Sequence, residues 1–163
     1  MTKFLLALHL IFAVFAVGPL VHAATTAGRG IRKADAAATA SSARMLRIYG
    51  IASALVIISG IVLMYRSRSG EYGIQGYSAL SVYRGPPHFG EFSQTWIWLS
   101  IVLWALAIAL VLFVLVPTLN RATKLIAEGE TVGALTGRVA GAGGVVGVLF
   151  VVIVVLMVYR PGQ

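Results

Sequence analysis

The chain has 163 residues, 59% of them hydrophobic and only 11% charged, with 13 basic side chains against 5 acidic ones and no cysteine. A water-soluble domain carries about 25% charged residues, so most of this chain does not face water and an ordinary soluble enzyme is excluded. The lack of cysteine removes disulfides, thiolate metal sites, cysteine nucleophiles and iron–sulfur clusters, and leaves only oxygen and imidazole chemistry.

Four apolar runs stand out: Phe4–Ala24, Ile48–Tyr65, Thr95–Val116 and Val139–Tyr159. At about 1.5 Å per residue each is long enough to cross a hydrocarbon core of about 30 Å. The predicted fold is therefore all-α: one polytopic membrane domain, residues 1–163, with four transmembrane helices in an up-down bundle. Residues 25–47 and 117–138 form the connections on one side, and residues 66–94 form the connection on the other. The first run imitates a secretory leader, with Val21-His22-Ala23 standing before Ala24 like a cleavage site. Its apolar stretch exceeds the roughly 7–15 residues of a leader's core, so it is read as a helix.

Charge orients the bundle. Arg29, Arg32, Lys33, Arg44, Arg47, Arg121, Lys124 and Arg138 lie on one side, against Lys3, Arg66, Arg68, Arg84 and Arg160 on the other. Cytoplasmic loops carry the excess of Lys and Arg, which predicts both termini outside; arginine outnumbers lysine 10 to 3 and Ala, Gly and Val are abundant, a composition that points to a bacterial plasma membrane. Tyr65, Trp96, Trp98 and Tyr159 fall at the outer helix ends and form an interfacial aromatic belt.

The first connection is alanine-rich from Arg32 to Arg47, with Asp35 near its start, and reads as a helical extension of the second span. The third connection begins after Pro117 and reads as a short polar helix over Asn120–Glu128, ended by Gly129. Its cations, with those of the first connection, either only fix topology or also meet anionic head groups. The head-group candidates are Arg29, Arg32, Lys33, Arg121 and Lys124. The outer connection mixes five glycines and Pro86-Pro87 with Tyr72, Tyr77, Tyr83, Phe89 and Phe92. Aromatics in a turn-rich segment point to a surface that folds onto the membrane, onto a partner or over the bundle itself.

In the fourth helix Gly133, Gly137 and Gly141 recur every four residues, and Gly143 and Gly147 repeat that spacing. Small residues let helix backbones approach, and such contact is the main attraction between helices in lipid. These glycines, with Trp96 and Trp98, are the candidate packing and interaction residues, facing either the bundle or an external helix.

The acids Asp35, Glu71, Glu91, Glu128 and Glu130 all lie in connections. Proton relays and ion-coupled carriers use ionisable groups at membrane depth, so those classes are poor matches. Ser53, Ser59 and Ser100 are too few to line a pore. Histidine is the remaining candidate ligand. His9 and His22 are 13 residues apart on one helix, about 20 Å along the axis, and cannot share a haem. His9 falls in line with Ala13, Ala16, Leu20 and Ala23, which places it on a packed face, bonding a neighbouring helix rather than holding a metal. Gly18-Pro19 should kink this helix and free the carbonyl of Phe15. No nucleophile pattern and no phosphate-binding motif is present, so neither an enzyme nor a cofactor is expected. Because the basic excess follows topology, it does not indicate nucleic acid.

Phe4-Leu5-Leu6-Ala7-Leu8-His9 with Gly18-Pro19-Leu20, followed by a basic alanine-rich stretch, resembles a family of small bacterial integral membrane proteins of unknown function, the DUF2269-like four-helix proteins. In size, span number and composition the chain is also similar to accessory proteins of actinobacterial cytochrome bcc–aa3 respiratory supercomplexes. That likeness implies a large respiratory membrane complex as partner, beside membrane lipids. The leading expectation is a non-catalytic accessory subunit. The alternatives are a haem-, copper- or quinone-handling protein using His9, and a small-molecule permeation protein.

Overall fold

The computed structural model describes residues 2–68 and 94–159. Among them every regular element is helical, and four helices are long and apolar enough to cross a membrane: α1 Phe4–Arg32, α2 Ala36–Tyr65, α3 Thr95–Ala127 and α4 Gly133–Tyr159. The chain is thus a multi-pass, all-α bundle. The connection 66–94 lies largely outside the described residues, and with it the expectations for its aromatic side chains.

The helices run for 29, 30, 33 and 27 residues, or about 40–50 Å, well beyond a hydrocarbon core of about 30 Å. Apolar composition ends near Val21, Ile48, Val116 and Val139, so the surplus projects at the basic end as a continuation of all four helices. There the two hairpins turn by the same device. In the first, Ala34 N–H bonds the Ile31 carbonyl and Asp35 N–H the Gly30 carbonyl, with Ala34 at φ +50°. In the second, Gly129 N–H bonds Ile126 and Glu130 N–H bonds Leu125, with Gly129 at φ +77°. Both are Schellman stops, in which a left-handed residue lets the chain satisfy the last helical carbonyls. Asp35 then caps α2 by accepting from Ala38 N–H at 2.9 Å.

Two boundaries differ from the sequence reading. Gly28–Arg32 belongs to α1, and α2 begins at Ala36 rather than Arg32, because the Schellman turn falls between them. Residues 120–127 are no separate polar helix but the end of α3, which continues through Pro117. A π turn over Leu110–Leu115 just before the proline explains this. Proline lacks an N–H and its ring displaces the carbonyl four residues back, and a widened turn accommodates both. The same arrangement recurs in α1, where a π turn over Ala13–Val17 precedes Gly18-Pro19. The expected irregularity is present there as a widened turn.

Leu20, Ala27, Leu46, Val111, Leu115, Leu119, Ala122, Val139 and Val146 are fully buried. They draw on all four helices toward the basic end. At the opposite end contacts thin into two pairs, α1 with α2 and α3 with α4. Val56 and Leu63 of α2 are buried but stand apart from the continuous core.

Candidate functional site

The glycines of α4 divide into two sets, one packed against α1 and one open. Gly143 faces α1 so closely that an added Cβ would collide with the Ala24 carbonyl, and a Cβ on Gly147 would touch Thr25 Cγ2 at 3.4 Å. Gly133, Gly137, Gly141 and Gly144 have nothing within 4 Å of an added Cβ. All four are exposed. Spacing explains the division: two residues turn a helix by about 200°, so Gly141 and Gly143 point apart. Val139, Val146, Phe150 and Ile153 are buried and set which side faces inward. Beyond Val148 the exposed side of α4 is valine.

Close approach also shapes the first hairpin. A Cβ on Gly30 would lie 2.7 Å from Thr39 Oγ1, and one on Gly60 would lie 3.2 Å from His9 Cε1. Gly60 therefore gives the imidazole room to lie against α2. His9 Nδ1 stands 3.0 Å from Ser59 Oγ, and the Ser59 hydroxyl donates to the Val56 carbonyl at 3.0 Å. With the hydroxyl proton directed to Val56, the Ser59 oxygen is left to accept, so the Nδ1–H tautomer of His9 fits this contact and leaves Nε2 with its lone pair. The sequence placed His9 on a helix-packing face. The two α2 residues that receive it could not be found without the register between helices, although adjacent Ser59 and Gly60 inside an apolar span were a signal.

A second cross-helix bond was also not anticipated. Trp104 Nε1 donates to Ser53 Oγ at 3.1 Å while that hydroxyl donates to the Gly50 carbonyl at 2.7 Å, tying α3 to an interruption in α2. The other buried hydroxyls, Thr39, Ser59, Ser100 and Thr118, each donate to a carbonyl of their own segment. No group of three or more His, Asp or Glu able to hold a metal occurs among the described residues.

At the end away from the basic side, Tyr65, Trp98 and Tyr159 are exposed, as an interfacial belt requires. Trp96 is instead buried, and its Nε1 donates to Gln94 Oε1 at 2.9 Å. At the basic end Arg29, Arg32, Lys33, Arg44, Arg47, Arg121, Lys124 and Arg138 are all exposed. Comparison with protein-family models, with curated proteins and with solved structures finds no match for the chain.

Proposed function

We propose that this chain is a non-catalytic integral membrane subunit that docks a larger membrane complex through the outward side of α4. The observation that carries the reading is Gly141 with Gly144, inside the apolar part of α4, which no contact among the described residues requires to be glycine; Gly137 and Gly133 continue the bare side toward the basic end. Glycine inside a helix costs about 1 kcal/mol relative to alanine. In a membrane that cost is offset where another helix backbone packs against the bare surface. The resemblance to respiratory accessory proteins makes a cytochrome complex of the bcc–aa3 kind the first partner to test. The basic end lies in the cytoplasm and both termini outside, in keeping with the positive-inside rule.

Affinity purification of the tagged chain after mild detergent extraction tests this. Membrane partners should co-purify with the native chain and be lost from Gly141→Val with the monomer still folded. Recovery of the chain alone would refute the proposal.

The His9 arrangement supports a second reading, in which the free Nε2 lone pair meets a haem, copper ion or quinone. An absorption spectrum and metal analysis of purified protein decide it. Colourless, metal-free protein that takes up no quinone removes this reading.

A further inference from the structure

We infer that arginines from all four helices, Arg29, Arg44 with Arg47, Arg121 and Arg138, form a collar that binds the phosphates of anionic membrane phospholipids. The registers between helices set the heights. Gly28 abuts Thr136 and Ala140, so the neighbouring Arg29 of α1 stands level with Arg138 of α4. Gly50 abuts Val111 and Leu112. Arg121, ten residues beyond Val111 on an antiparallel helix, is therefore level with Ala40 of α2. Gly30 abuts Thr39, so Ala40 and Arg29 share that height too. Arg44 of α2 lies four residues, or about 6 Å, nearer the membrane.

The cations at the hairpin tips differ in setting. Arg32 and Lys33 stand at the C-terminus of α1, and Lys124 lies in the last turn of α3, where positive charge complements the helix dipole. They stand about 4–5 Å farther from the membrane than Arg29, Arg121 and Arg138. Arg44, Arg121 and Arg138 sit within their helices, where no helix terminus is theirs to neutralise. Among the described residues they make no ion pair or side-chain hydrogen bond.

The collar consists of arginine throughout, the side chain whose planar fork binds two phosphate oxygens at once. Toward the membrane from it the exposed surface of α2 is Met45, Ile48, Ile51 and Leu55, which is acyl-chain surface. A ring of guanidinium groups at the rim of an apolar belt matches an anionic phospholipid in both its parts.

The test uses the purified full-length chain in neutral detergent, with thermal unfolding followed as lipid is added. Dioleoylphosphatidylglycerol should raise the midpoint by several degrees, and dioleoylphosphatidylcholine or inorganic phosphate at equal concentration should leave it unmoved. The combined variant Arg44→Gln, Arg121→Gln, Arg138→Gln should lose at least half of that shift. The charge-matched variant Arg32→Gln, Lys33→Gln, Lys124→Gln should keep most of it. If the combined collar variant does not fold, Arg44→Gln and Arg138→Gln singly should each reduce the shift. The inference is overturned if the collar variants retain the full shift, if the tip variant loses as much as the collar variant, or if phosphatidylcholine or inorganic phosphate stabilises the native chain equally.

Discussion

Toward the basic end all four helices meet around Leu20, Leu46, Leu115, Leu119, Val139 and Val146, whereas toward the other end α1 keeps to α2 and α3 to α4. The first region continues beyond the hydrocarbon layer, and there removing apolar surface from water stabilises packing in the ordinary way. The second lies within lipid, where burying one aliphatic surface against another gains little over burying it against acyl chains. There His9 with Ser59 ties α1 to α2, while Trp104 with Ser53 joins α3 to α2 at the edge of the four-helix core. One chain thus uses a broad core where water drives it and single polar ties where water does not.

Substitutions sharpen this contrast, and the largest effects belong to the basic half. Gly143→Val drives a side chain into the Ala24 backbone and should cost at least about 3 kcal/mol, the upper end for overpacking. Gly141→Val, two residues away on the open side, should change monomer stability by less than about 0.5 kcal/mol. Equal losses in denaturant titration of the two variants would contradict the division of the glycines.

Next in size, Leu115→Ala and Leu46→Ala should each cost about 2–5 kcal/mol. Leu63→Ala, outside the continuous core, should cost markedly less. A flat profile across these three would mean that the two halves are not built differently. Smaller again is the histidine tie. His9→Leu and Ser59→Ala should each cost about 0.6–1.7 kcal/mol, with most of it shared in a double-mutant cycle, since interhelical hydrogen bonds in membranes fall in that range. Additive losses would show that the two side chains act separately.

The smallest effects compare the two Schellman turns. Gly129→Ala places a Cβ in a left-handed conformation and should cost about 1–2 kcal/mol. Ala34 already carries that strain, so Ala34→Gly should be neutral or stabilise by up to about 1 kcal/mol, the rest being offset by the greater freedom of glycine in the unfolded chain. Unfolding midpoints of the two variants should move in opposite directions, or that of Ala34→Gly should not move at all.

What the sequence disclosed follows the same division. Span number came from apolar length alone, and the helical first connection from alanine content with Asp35 as cap, because these are local properties. Pro117 was misleading: a proline after an apolar run reads as a helix end, and only its coupling to the π turn before it carries α3 on to Ala127. For α4 the two-residue step between Gly141 and Gly143 already required opposite faces, but which face looked inward depended on Val139, Val146 and Phe150 meeting the other helices. The partners of His9 and the common height of Arg29, Arg121 and Arg138 are matters of register between helices, which no local pattern encodes.

The two short turns at the basic end, 33–35 and 128–132, make the molecule a pair of helical hairpins, and residues 69–93 are the only covalent link between them. The hairpins also meet through α1 against α4 and α2 against α3, in the part of the bundle that packs most tightly. In energetic terms the chain resembles a tethered heterodimer. Its link raises the effective concentration of one half near the other, while recognition between the halves resides in Gly143 against Ala24 and Gly50 against Val111. Substitutions at those contacts should therefore weaken the pairing of the two hairpins directly.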